Sequence, residues 1–201
     1  LRKRHLHLAA VEASIKLHGH KPELESAYAY HYTEAGEYVK AYNAWIKAAE
    51  FARSRFSRSD RYYAYNKAFD LIPRLPQNTL DKQLEELVVR WGDYAYDLGD
   101  KETCSRVYGL CMDMGEQTQN PVLLCIAWNG MARVHQLEMN YESGIEAVNR
   151  AQFYCDRIDN LEMKLDTLSR LTTLYELMND TNRVILLGEE SLQYLPSLKE
   201  Q

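Results

Sequence analysis

The sequence predicts an all-α protein, a stack of about ten antiparallel helices, and three observations carry that expectation. The chain has only 9 Gly and 5 Pro in 201 residues, so places to turn are few and long helices are favoured over short strands. Large and small residues alternate at the three-and-four spacing that lines one helix face. In the second half that pattern returns every 40 residues.

Taken in order, the expected helices cover 2–18, 23–35, 37–56, 59–72, 78–98, 100–117, 121–139, 141–158, 160–179 and 181–195. Gly19 ends the first, and Pro22 suits the first turn of the next. Ser57-Arg58-Ser59-Asp60 offers capping oxygens to the fourth. The clearest composition shift is Ile72-Pro73-Arg74-Leu75-Pro76-Gln77-Asn78, a candidate sub-boundary at 73–78 within a single domain over 1–201. Beyond it, Asn120-Pro121 and Asp159-Asn160 mark breaks between helix pairs, because proline lacks the donor a helix interior needs. Polar turns at Leu98-Gly99-Asp100, Met139-Asn140-Tyr141 and Asn179-Asp180-Thr181 separate the two helices of each pair. Gly and Asn there are expected to supply the left-handed conformation that ends a helix.

The repeat is read from Gly92, Ala132 and Thr172, each 40 residues from the next. Four residues before them stand Val88, Trp128 and Leu168; three after them stand Ala95, His135 and Tyr175. On the second helix of each pair the equivalent series are Cys104, Gly144, Val184; Tyr108, Val148, Gly188; and Cys111, Ala151, Ser191. A small residue on the first helix lets the second approach, and a small-medium-small series on the second fits back into it.

This arrangement resembles the tetratricopeptide repeat. The segment Ala29-Tyr30-His31-Tyr32-Thr33-Glu34-Ala35-Gly36-Glu37-Tyr38-Val39-Lys40-Ala41, followed by Trp45 and Ala48, puts small Ala29, aromatic Tyr32, turn Gly36 and small Ala41 where that family has them. The later repeats depart from it at Thr172, Val184 and Gly188, and their period of 40 residues is longer than the usual unit. The resemblance implies a right-handed α-α superhelix, a solenoid. A narrower likeness covers Arg4-His5-Leu6-His7-Leu8-Ala9-Ala10-Val11-Glu12, His31-Tyr32-Thr33-Glu34-Ala35-Gly36 and Tyr65-Asn66-Lys67-Ala68-Phe69-Asp70-Leu71-Ile72. It is similar to the helical region after the ATPase module of large bacterial STAND-type signalling proteins, including predicted ATPases fused to nucleotide cyclases and the maltose-regulon type of activator.

Charge and motifs narrow the chemistry. A net charge of −5 argues against nucleic acid, since neutralising phosphates takes a surplus of Lys and Arg. Residues 1–61 carry 11 Lys or Arg against 7 Asp or Glu, while the remainder carries 13 against 22, so one end is basic and the other acidic. Arg53, Arg55, Arg58 and Arg61 cluster at a helix end, where positive side chains complement the dipole. No apolar run approaches the roughly 20 residues of a membrane helix, and Leu1-Arg2-Lys3-Arg4-His5 reads as the start of a piece of a longer chain. Cys104, Cys111, Cys125 and Cys155 sit in apolar patterns without a C-x-x-C pair, which suits buried thiols in a reducing cytoplasm. Neither a phosphate loop nor H-E-x-x-H occurs. His5 and His7 point to different sides of a helix, His18 and His20 bracket Gly19, and His135 is expected to be packed and hydrogen-bonded. Catalysis, a metal and a cofactor are therefore not expected.

The aromatic residues divide. Trp45, Trp91 and Trp128 fall at packing positions, whereas Tyr28, Tyr30, Tyr32, Tyr62, Tyr63 and Tyr65 are too closely spaced to share one buried face. The resemblance implies a concave surface formed by first-helix residues, here Tyr30, Thr33, Asp93, Tyr96, Asn129, Arg133, Gln136, Ser169, Thr173 and Glu176, with Asn129, Arg133 and Gln136 as its best polar patch. The function expected is a non-catalytic interaction or scaffold domain, the regulatory or sensor part of a larger STAND-like ATPase, whose partner is a protein, a peptide or a neighbouring domain. The alternative is the ligand-sensing domain of a transcription activator.

Overall fold

The first amides of a helix lack intrahelical acceptors and need side-chain ones. Five helices of the second half find theirs in Asp or Asn. Asp100 accepts from the Thr103 amide at 3.0 Å, Asn120 from Val122 at 2.9 Å, Asn140 from Ser143 at 3.3 Å, Asn160 from Met163 at 3.1 Å and Asp180 from Arg183 at 3.2 Å. Ser57 behaves differently from expectation: its hydroxyl donates to Asp60 at 2.6 Å, so it holds a side chain and caps no amide. Helix ends use left-handed residues at Gly99, Met139 and Asn179. In the middle turn that residue is Met139 and not Asn140, because Asn140 is already committed as the cap of the following helix.

The computed structural model describes the backbone of residues 2–194 and the side chains of 2–76 and 84–194. Among the described residues the fold is all-α, with no strand. Its helices are α1 (Arg2–His18), α2 (Glu25–Glu34), α3 (Tyr38–Ser54), α4 (Arg58–Leu71), α5 (Gln77–Asp97), α6 (Lys101–Thr118), α7 (Pro121–Leu137), α8 (Tyr141–Cys155), α9 (Leu161–Leu177) and α10 (Thr181–Leu192). Short 3-10 turns at Pro22–Leu24 and Ile72–Arg74 precede α2 and follow α4. The expected last turn to residue 195 reaches past the described residues. No described helix is long and apolar enough to cross a membrane.

Backbone contacts divide the chain inside α5, into Leu1–Leu87 and Val88–Gln201. In the first unit α2 packs on α3 and α3 on α4. Its core interleaves Ala41, Ala48 and Ala68 with Tyr42, Trp45 and Tyr65, and small residues let aromatic ones lie between helices. The proline loop belongs to this unit, with Ile72 and Leu75 buried. Helix α1 is attached lightly, since Val11 is its one buried residue among those described.

In the second unit each helix packs on its successor from α6 to α10. The 40-residue equivalents fill this seam: Val88, Trp91 and Ala95 from α5, Cys104, Tyr108 and Cys111 from α6, Ala132 from α7, and Gly144, Val148 and Ala151 from α8 are all buried. The Tyr108 ring lies between Gly92 and Gly130, and a Cβ at either glycine would overlap it. Trp128, expected in the core, is half-buried, and the Arg150 guanidinium covers its ring at 4.6 Å.

Candidate functional site

The helical faces that the sequence nominates fall in both units, and the first unit contributes little. Tyr30 on α2 is exposed, edge-on to the His7 ring at 6.0 Å. Thr33 turns its hydroxyl back to the Ala29 carbonyl at 2.8 Å.

The second unit brings three of the nominated residues together around one guanidinium. Arg133 on α7 pairs with Asp93 on α5 and lies over the Tyr96 ring at 5.0 Å, and its Nη1 donates to the Tyr108 hydroxyl at 3.4 Å. The Arg133 side chain is only 18% exposed, whereas that of Asp93 is 49% exposed. Burial weakens the Arg133 charge, but Tyr108 and Asp93 outweigh it and leave its pKa above the ordinary value. Burial pushes the Tyr108 phenol up to about 12, so at neutral pH a neutral phenol meets a permanent cation. Gln136, three residues further along α7, is half-buried. The result is a neutralised charge pair flanked by an aromatic face, to which a partner's carboxylate would gain access only in competition with Asp93.

Asn129 does not join this patch. It is buried, and its Nδ2 donates to the Thr167 hydroxyl on α9 at 2.8 Å and to Cys125 Sγ at 3.7 Å. Thr167 passes its own proton to the Met163 carbonyl at 2.9 Å. Asn129 Oδ1 is buried without a hydrogen-bond partner. The expectation of a surface role for Asn129 fails because α9 closes over it. On α9, Ser169 and Glu176 are exposed, and Thr173 is half-buried with its hydroxyl on the Ser169 carbonyl at 3.0 Å.

Sequence reasoning missed Tyr108 and Thr167 as members of polar groups. A signal for the first was present: Asp93 and Arg133 are one 40-residue period apart, so opposite charges occupy the same place in successive repeats. His135 is half-buried, and its Nδ1 lies 3.2 Å from Glu138 Oε2. Burial raises the Cys104 thiol to about 11 and Cys125 to about 12, which keeps both protonated at neutral pH. Among the described residues no three His, Cys, Asp or Glu side chains converge as a metal site would require.

No protein-family model matches the chain, and no curated protein matches it. The crystal structure of BtubC (BKLC) from P. vanneervenii is similar at a TM-score of 0.60 and 12% identity, over 100% of this chain and 92% of that one. At that identity the likeness shows an all-helical fold and nothing further.

Proposed function

We propose that the chain is a non-catalytic interaction domain built from tetratricopeptide-like repeats, the regulatory or sensor part of a larger STAND-like signalling ATPase. The observation that carries the reading is the shelf made by Asp93, Tyr96 and Arg133 on successive helix pairs, with Gln136 one 40-residue period after Tyr96. Its aromatic face and shielded charges suit an extended peptide better than a small metabolite. A partner preferring one arrangement of the helix pairs would shift the attached module between states, by differential affinity alone. Repeats suit such coupling because each touches only its neighbours and small rotations accumulate.

Panning a random peptide library against the purified chain tests the binding face. Tyr96→Ala and Gln136→Ala are expected to weaken the selected peptides about tenfold or more, in line with loss of an aromatic anchor, while the thermal transition stays in place. Unchanged binding would remove the shelf. The regulatory-ATPase part is tested separately, by whether the parent reading frame encodes a phosphate loop ahead of Leu1.

A further inference from the structure

Trp128 is larger than its place in the repeat requires. Its equivalents one period to either side, Val88 and Leu168, are buried aliphatic residues, whereas Trp128 is half-buried and keeps part of its ring at the surface. Helix α8 answers with a stripe that its counterparts lack. Phe153, Tyr154 and Arg157 follow Arg150 at spacings of three, four and seven, which puts all four on one side of α8 and of the turn after it. One period earlier, Arg150, Phe153 and Arg157 correspond to Leu110, Asp113 and Gln117; one period later, Arg150 and Phe153 correspond to Glu190 and Gln193. The packing of successive helix pairs therefore does not call for this set.

Both arginines of the stripe rest on aromatic rings. The Arg150 guanidinium stands over Trp128 at 4.6 Å and that of Arg157 over Phe153 at 3.5 Å, where it also donates to the Phe153 carbonyl. Phe153 is 54% exposed and meets the Tyr154 ring edge-on at 5.2 Å. Beyond residue 61 acids outnumber bases by 22 to 13, and Arg133, Arg170 and Arg183 each pair with an aspartate. Among the described residues neither Arg150 nor Arg157 has a carboxylate partner. A guanidinium lying on a ring keeps its edge donors free for a carboxylate, which it can bind with two parallel hydrogen bonds. Beside these cations Trp128, Asn149, Arg150, Phe153 and Tyr154 line an open cavity of about 390 Å³, inside the roughly 300–1,000 Å³ that ligand sites occupy. All five belong to α7 and α8, which pack on α6 and α9 as well as on each other.

We infer that this cavity takes an extended acidic peptide, an apolar side chain entering between Trp128 and Phe153 while carboxylates on either side of it pair with Arg150 and Arg157. The site shares no residue with the Arg133 shelf and goes beyond it. Seven residues along α8 and its following turn set the two arginines about 10 Å apart. An extended chain puts alternate side chains on one face, so acid, apolar and acid residues at every second position span about 13 Å, a difference the long arginine stems bridge. Two cations in acidic surroundings are too few to hold a phosphate backbone. A fluorescein-labelled peptide Gly-Glu-Ser-Phe-Ser-Glu-Gly, titrated with the chain at about 0.15 M salt and followed by anisotropy, is expected to bind saturably. Peptides with Gln for both glutamates, or Gly for the phenylalanine, should bind about tenfold more weakly or worse. Arg150→Gln and Arg157→Gln should each weaken binding about fivefold or more, and Arg150→Lys should recover only part, since an ammonium cannot make the paired bonds. Both positions are exposed, and circular dichroism with an unchanged thermal transition verifies each fold; Arg157→Gln serves alone if Arg150→Gln disturbs Trp128. Absence of saturation up to about 1 mM peptide would overturn the proposal, as would equal binding of the peptide lacking phenylalanine, which reduces the contact to diffuse charge. Displacement by oligothymidylate at lower concentration than by unlabelled peptide would overturn it in favour of nucleic acid. Binding lost in Tyr96→Ala and kept in both arginine variants would overturn it by placing the peptide on the Arg133 shelf.

Discussion

At the scale of residues, two buried details decide how tightly the second unit holds together. The Asn129–Thr167 bond joins α7 to α9 while leaving Asn129 Oδ1 unsatisfied, a group whose desolvation costs about 1–3 kcal/mol. Thr167→Val removes the nearer of the two acceptors of Asn129 Nδ2, leaving the weak one at Cys125 Sγ, and is expected to lower stability by about 1–3 kcal/mol in urea unfolding. Asn129→Leu added to it should recover part of the loss, because an apolar pair leaves no group unpaired; strictly additive losses would contradict this. The Tyr108 ring makes the second point. Gly130→Ala drives a methyl group into that ring and is expected to cost about 1–3 kcal/mol or more. Gly188→Ala meets open space, so the ordinary helical advantage of alanine should show as a gain of up to about 1 kcal/mol. Equal effects at the two glycines would refute the packing described for Tyr108. From sequence the two glycines differ only in register, and their opposite surroundings come from a ring on another helix.

At the scale of elements, α1 is the segment most sensitive to conditions. It is joined to α2 and the turn after it by Lys3–Glu34 at 2.6 Å, Arg4–Glu37 at 2.7 Å and the His7 Nδ1–His31 Nδ1 contact at 2.8 Å. One proton bridges two imidazoles, and a second sets two cations against each other. Burial, and then the His7 charge, hold the His31 pKa below its ordinary value. A histidine whose folded pKa is depressed stabilises fully above the unfolded pKa of about 6.5 and loses that contribution as pH falls. Amide protection in α1, with the intrinsic pH dependence of exchange divided out, is therefore expected to fall on going from about pH 7.5 to 5.5, across that value, more than protection in α7 or α8. His31→Asn should flatten the response, and α1 protection independent of pH would contradict it. The existence and approximate limits of the helices were legible because caps and glycines punctuate them: Asn120-Pro121 and Asn160 start helices as expected, and Gly19 and Gly99 end them. Ser57 and Met139 were not legible, since each depends on which neighbour already holds the hydrogen bond.

At the scale of the whole molecule, the 40-residue period foretold most of the seam in Val88–Gln201, because large and small residues in fixed register leave few other ways to pack. It also placed Asp93, Tyr96 and Arg133 near one another. It could not show that Asn129 would be covered, for burial depends on where α9 closes and not on the α7 pattern. The division within α5 had no sequence mark either, as that helix runs on without Gly or Pro from Gln77 to Trp91. The central claim is that each helix pair hides its apolar seam by leaning on the next, so stability should be graded along the chain. Hydrogen exchange measured by mass spectrometry tests this most directly. Exchange is expected to be slowest in α7 and α8, packed on both sides, and fastest in α1 and α10, whose outer faces are bare among the described residues. Protection in α10 equal to that in α7 would contradict it.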